Sequence, residues 1–325
     1  MATADEIGRA ADILRAGGLV AFPTETVYGL GADAANADAM RRLFAAKGRP
    51  ADHPVIVHLA DAAQLSEWAR TIPEAAAKLV AAFWPGPLTL IVPRAAGVLD
   101  AVTGGQETVG VRVPRHPVAH ALLAAFGGGV AAPSANTFGH ISATHAAHVR
   151  AEFDEATVPL VLDGDPPDIG VESTIVDVSG PRPTLLRPGG ITPAQLAAVL
   201  GEPVAAPTAS SPRASGTLPR HYAPRTPLEI VPTEMLEARI RSLTDNGERV
   251  AVLFWSPKFM EYTPQTEVAR DDANTGDSYS YARLLYTTLR SLDKVHASRI
   301  LVEDVPEGDE WLAVRDRLRR AAQSS

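Results

Sequence analysis

Apolar residues recur along this chain at two spacings, one helical and one extended, and the alternation between them sets out its elements. Over residues 5–15, Ile7, Ala10, Ala11 and Leu14 fall three to four apart, predicting a helix that Gly17-Gly18 stops. Leu19 to Phe22 is a continuous apolar run, the pattern of a strand buried on both faces, and Pro23 ends it by lacking an N–H. A second helix is predicted over 38–46, with Met40, Leu43 and Phe44 on one face and Gly48 and Pro50 closing it. Strands are predicted over 54–59, 88–93, 109–114, 129–132, 160–163, 173–178 and 184–187. Helical spacing lies between them over 62–84, 118–126, 144–152 and 193–200. Strands alternating with helices, with short consecutive strands late, indicate a mixed α/β sheet.

The texture changes near Gly201. Residues 203–216 are rich in Pro, Ala and Ser with almost no large apolar side chain, which predicts a linker. It ends in a basic, aromatic cluster, Arg220-His221-Tyr222-Ala223-Pro224. Beyond it, strands over 228–231, 249–254 and 299–302 alternate with helices over 234–243, 279–292 and 311–322, a small three-layer α/β domain. The predicted organisation is therefore a domain over 1–202, a linker over 203–226 and a second domain over 227–325.

Composition narrows the function classes. With 46% hydrophobic residues in 325, the chain can bury two cores. No cationic segment leading into an apolar one, and no bilayer-length apolar run, is present, so a cytoplasmic protein with no membrane partner is expected. The absence of cysteine excludes disulfides, thiolate catalysis and cysteine-ligated metals. A net charge of −8 argues against a surface that coats nucleic acid, so strong tRNA binding is not expected.

Candidate chemistry gathers at turns. Pro23-Thr24-Glu25-Thr26-Val27-Tyr28-Gly29-Leu30-Gly31 sets hydroxyls, a carboxylate and glycines directly after a buried strand, and the glycines there permit positive φ or a close backbone approach. Arg112 alternates with Val111 and Val113, so its guanidinium needs an anionic partner: an internal carboxylate, or a bound carboxylate or phosphate. Ala132-Pro133-Ser134-Ala135-Asn136 and Ser142 offer small residues and polar contacts before a helix start. Lys47, Arg49, Arg112 and Arg187 are cations at turns of an acidic chain, a set that suits a polyanion such as a nucleoside triphosphate. No P-loop, dinucleotide fingerprint, zincin helix or nucleophile elbow is present.

Taken in order, the Thr24-Glu25-Thr26 turn, Lys47-x-Arg49-Pro50, Pro54-Val-Ile-Val-His58, Trp84-Pro85-Gly86-Pro87-Leu88-Thr89, Val111-Arg112-Val113-Pro114, Ala132-Pro133-Ser134-Ala135-Asn136, Gly170-Val171-Glu172-Ser173-Thr174 and Leu186-Arg187-Pro188-Gly189 resemble the YrdC-like family. Arg220-His221-Tyr222-Ala223-Pro224 and the α/β tail look like its longer, two-domain threonylcarbamoyl-AMP synthase form. The resemblance implies a twisted, mixed, open sheet with helices, followed by a smaller Rossmann-like three-layer domain. It implies a nucleotidyltransferase that makes L-threonylcarbamoyladenylate and pyrophosphate from L-threonine, bicarbonate and ATP, with Mg²⁺ arriving on the ATP and no metal ligands from the protein. The product would feed a tRNA threonylcarbamoyltransferase that modifies tRNA beside the anticodon.

By the same resemblance, Thr24 or Thr26, His58, Arg112, the backbone at Ala132, and Ser173 surround threonine, with Arg112 on its carboxylate. Lys47 and Arg49 are the catalytic cations and hold ATP together with His53, Thr108, Ser134, Asn136, Ser142, Arg187 and Tyr222. His53 stands where many relatives have asparagine, and Asp163-Gly164-Asp165-Pro166-Pro167 replaces a commoner double glycine. An RNA-binding or ribosome-maturation module, and carbamoyl transfer to a protein, are the alternative readings.

Overall fold

A computed structural model describes residues 1–259, 269–270 and 276–323, and the chain divides into two compact units. The first comprises Met1–Phe138 and Ser142–Thr217, and the second Gly139–Ile141 and Leu218–Ser325.

The first unit opens with helix α1 (Ala4–Arg15), whose Thr3–Glu6 capping box satisfies the free N–H groups of its first turn. Strand β1 (Val20–Phe22) pairs antiparallel with β2 (Gly29–Asp33) across the Thr24-Glu25-Thr26 turn. After α2 (Ala37–Lys47) and β3 (Ile56–His58), the predicted helix over 62–84 is broken into α3 (Leu65–Trp68) and α4 (Glu74–Phe83). Ala69 leaves α3 in an extended conformation to bridge Arg94, and Pro73 starts α4 as its N-cap. There follow β4 (Leu88–Pro93), α5 (Asp100–Thr103), β5 (Thr108–Arg112), α6 (Pro117–Phe126) and β6 (Val130–Ala131). The unit ends with α7 (Ala146–Glu152), β7 (Leu160–Val161), β8 (Thr174–Asp177), β9 (Thr184–Arg187) and α8 (Pro193–Leu200).

The strands form one mixed sheet in the order β7-β1-β2-β6-β3-β5-β4-β8-β9. Strand alternation assigns its faces. Ala21, Val57, Leu90, Val111 and Val176 point into the larger core, with Met40 and Leu43 of α2, Leu79 of α4 and Leu196 of α8. Val20, Phe22 and Val130 point the other way, onto Ala10 and Leu14 of α1 and Leu122 and Leu123 of α6. That second face continues past α1 and α6 through Ile56, Ile91 and Ile175, where Ala214 of the late Pro/Ala/Ser-rich stretch packs on it. The stretch predicted as a linker is thus partly fastened to the first unit. Ala205 bridges Thr184, and the Gln106 side-chain amide accepts from Arg213 N at 2.7 Å while donating to Arg213 O at 3.2 Å.

The second unit is a parallel sheet in the order β10-β13-β11-β12, built from β10 (Leu228–Val231), β11 (Val250–Leu253), β12 (Ala269–Arg270) and β13 (Arg299–Glu303). Val250, Val252 and Leu301 pack on Leu236, Ile240 and Leu243 of α9 (Leu236–Asp245). Residues alternating with them face away from α9, and α10 (Ser278–Asp293) and α11 (Leu312–Ala321) complete the unit. Among the described residues, no helix is long and apolar enough to cross a membrane.

Candidate active site

The face of the first sheet beyond α1 and α6 collects the predicted residues by simple alternation. On β5, Thr108, Gly110 and Arg112 share one side, as Ile56 and His58 do on β3, and the pairing of these parallel strands sets His58 beside Arg112. Thr89 of β4 follows suit, and its hydroxyl lies 2.8 Å from that of Ser173, just before β8.

Arg112 is buried and bound on three sides. Its Nε donates to Gly86 O at 3.2 Å, its Nη1 to Thr26 Oγ1 at 2.9 Å, and its Nη2 lies 2.7 Å from Glu25 Oε1. Of the partners considered from sequence, the structure supplies the internal carboxylate. Glu25 Oε2 accepts from Arg115 N, and Glu25 O from Ile169 N, so the carboxylate is held from its far side. The Thr24 hydroxyl is spent inside the turn, donating to Val27 O at 2.6 Å and accepting from Thr26 N and Val27 N. Toward Thr26 it therefore accepts, which orients the Thr26 proton away from Arg112. Strands β6 and β3 separate β2 from β5, and the turn and the long Arg112 side chain together span that gap.

His58 is buried beside Arg112 with no hydrogen-bond partner for Nδ1. Burial first, and the Arg112 charge second, push its pKa down to about 3. Between that value and 6.5 the unfolded chain binds a proton that the folded chain refuses, so stability is full above the unfolded pKa and falls as pH drops. From pH 7.5 to pH 5, urea titration should find the wild type losing about 2 kcal/mol more than His58→Gln.

A second cluster forms at the end of α2. Gly48, at φ 59, caps the helix, and the Lys47 ammonium turns inward to donate to Ser134 O and Asn136 O. Burial, with Arg49 adding to it, holds the Lys47 pKa well below the ordinary lysine range. The Arg49 guanidinium lies over the Phe138 ring at 5.5 Å, and the His53 ring meets the same phenylalanine edge-on at 5.4 Å. Burial and Arg49 lower the His53 pKa as well. Ala132 N is spent on Ile56 O.

Arg187 Nε and Nη2 donate to Ser173 O, and its Nη1 donates to Ser215 O at 2.8 Å. Arg49 Nη2 reaches Ser215 Oγ at 3.2 Å. Ser215 thus sits between two of the predicted phosphate cations, and Thr108 lines the pocket beneath it with Ile56, Gly110 and Ile175. Ser142 Oγ donates to Glu172 Oε1. Asp165 is exposed at the surface, and Asp168 pairs with Arg115. Tyr222 belongs to the second unit, stacked on Tyr286 at 5.8 Å with the Arg317 guanidinium 5.1 Å from its ring centre.

Sequence reasoning gives no role to Glu25, Gln106, Glu172 or Ser215. For Glu25 a signal exists, since a carboxylate next to a buried strand needs a cation as much as Arg112 needs an anion. Gln106 and Ser215 act through main-chain contacts that no side-chain pattern announces.

Known proteins match this arrangement along its length. A family model described as Telomere recombination, covering Sua5, YciO and YrdC proteins, matches residues 12–189, and one described as the C-terminal domain of threonylcarbamoyl-AMP synthase matches residues 191–323. The threonylcarbamoyl-AMP synthase of Bacillus subtilis is 42% identical, covering 98% of this chain and 93% of its own length. That of Pyrococcus abyssi is 40% identical over 96% of this chain and 93% of its own. A crystal structure of P. abyssi Sua5 complexed with L-threonine superposes with a TM-score of 0.89 at 39% identity, covering 98% of this chain and 95% of the other. The chain belongs to the Sua5/YciO/YrdC family, in its two-domain threonylcarbamoyl-AMP synthase branch.

Proposed function

We propose that the chain joins L-threonine, bicarbonate and ATP into L-threonylcarbamoyladenylate, releasing pyrophosphate and water. The threonine-bound P. abyssi relative and the synthase name of the full-length relatives support this reading. The observation that carries it is the buried Arg112 beside His58 on a sheet face at whose edge two further cations, Arg49 and Arg187, meet at Ser215.

In this reading threonine occupies the region of Thr26, His58, Arg112 and Ser173. Its amine adds to the carbon of bicarbonate with loss of water, and a carbamate oxygen then attacks the α-phosphorus while pyrophosphate leaves. Positioning and charge neutralisation suffice, so no enzyme nucleophile is required. Neutral His58 adds no charge beside Arg112. The Lys47 ammonium has three donors, two of them given to Ser134 O and Asn136 O, and the third is left for a phosphate oxygen. Arg49 and Arg187 exchange Ser215 for phosphate, while Thr108, Ser134, Asn136 and Ser142 line the nucleotide's path.

Mg²⁺ belongs with the triphosphate, where it neutralises phosphate charge. Among the described residues no group of three or more His, Asp or Glu side chains could hold an ion, which fits a metal held by phosphate oxygens and water. The product is a reactive mixed anhydride, so a tRNA threonylcarbamoyltransferase is its natural acceptor.

Pyrophosphate release measured with each substrate omitted tests the reaction. Release should require both threonine and bicarbonate, and labelled bicarbonate should appear in a product with the mass of threonylcarbamoyl-AMP. Equal release without threonine would remove the assignment and return the RNA-binding and protein-carbamoylating alternatives.

A further inference from the structure

The cluster at the end of α2 contains an aromatic ring to which the reaction gives no part. Phe138 is half-buried, with the Arg49 guanidinium over its face at 5.5 Å and the His53 ring edge-on to it at 5.4 Å. Its backbone is tied down from two helices. Phe138 N donates to Lys47 O at 2.9 Å, and Glu152 Oε2 of α7 accepts from both Thr137 N and Thr137 Oγ1. The Lys47 ammonium completes the clamp by donating to Ser134 O and Asn136 O. The ring is therefore fixed to the same helix end from which Arg49 departs.

Stacking suits a cation whose charge is needed elsewhere. A carboxylate partner would also hold Arg49, but it would take up N–H groups and cancel charge that a phosphate requires. An aromatic face attracts the guanidinium through the ring quadrupole and takes none of its N–H groups, which stay directed outward in the plane. The acceptors that Arg49 Nη2 meets in that plane, Pro54 O at 2.8 Å and Ser215 Oγ at 3.2 Å, are both uncharged. Arg49 is only 8% exposed, and a desolvated cation is where ring stacking counts most.

We propose that Phe138 is the positioning residue for Arg49: its ring face sets the plane of the guanidinium so that the N–H edge meets an ATP phosphate. This rests on the reading that Arg49 binds ATP phosphate and extends it, because nucleotide affinity then depends on a ring that acts through the arginine.

Pyrophosphate release by the full chain tests it, with phenylalanine at 138 replaced by its mono-, di- and trifluorinated forms through nonsense suppression. Fluorine withdraws charge from the ring face while changing its size little. The ATP KM should rise stepwise, reaching about 5-fold or more for the trifluorinated ring, while the threonine KM stays within about 2-fold. Phe138→Leu should raise the ATP KM about 10-fold, and Phe138→Tyr should keep it near the wild-type value. An ATP KM that is flat across the fluorinated series, or both KM values rising together, overturns the proposal; the series decides the matter if Phe138→Leu fails to fold. Arg49→Met leaving the ATP KM unchanged would instead remove the reading that Arg49 binds ATP.

Discussion

Arg112→Met should destabilise the first unit by about 3–5 kcal/mol, because it strands the Glu25 carboxylate in a site where Glu25 is only 2% exposed. The loss should be visible as a lower urea midpoint with an unchanged slope. Adding Glu25→Gln to Arg112→Met removes the stranded charge, and most of the lost stability should return. Threonine-dependent pyrophosphate release should stay absent in both variants, because the double variant repairs the electrostatics without restoring a donor for the carboxylate. If the double variant is no more stable than the single, the pair is not what holds the turn against β5.

Gly189→Ala is the second large effect. A Cβ at Gly189 would lie 2.3 Å from Thr174 N, 2.5 Å from Ser173 C and 2.6 Å from Glu172 O, all of them backbone atoms that cannot swing aside. We expect a stability loss of at least about 3 kcal/mol. The backbone that must move carries Ser173 O, which accepts both Nε and Nη2 of Arg187, so activity should fall further than the folded fraction does. Gly180→Ala is the control, since nothing lies within 4 Å of its added carbon. Thermal melts of the two variants should separate widely, and similar midpoints would show that the Gly189 backbone can relax.

The contrast between these glycines and those of the opening turn shows where the sequence is readable. Gly29 and Gly31 look like turn residues, and that appearance hides β2. Neither adopts positive φ, and at Gly31 it is the crowding of the sheet that calls for glycine: a Cβ there would lie 2.9 Å from both Phe22 and Val130. The α1 helix was legible because its apolar spacing and cap are local. The break between α3 and α4 was not, since Ala69 leaves the helix for a partner at Arg94, a pairing that only the assembled sheet supplies. The site follows the same rule. Strand alternation identifies Arg112, His58 and Thr108 as neighbours on one face, but the Glu25–Arg112 contact joins the β1–β2 turn to β5 across the strand order β2-β6-β3-β5, which only the assembled sheet sets.

The stretch from Ala205 to Ser215 carries a consequence for how the chain can change over time. It is fastened largely through its own main chain: Ala205 exchanges hydrogen bonds with Pro183 and Leu185, Arg213 with Gln106, and Ser215 offers its carbonyl to Arg187. Contacts of this kind are indifferent to most side chains and sensitive to register. Drift in residue identity should be readily tolerated here, whereas gaining or losing a single residue would shift every fastening point at once. This part of the protein is constrained as a measured length rather than as a string of particular amino acids.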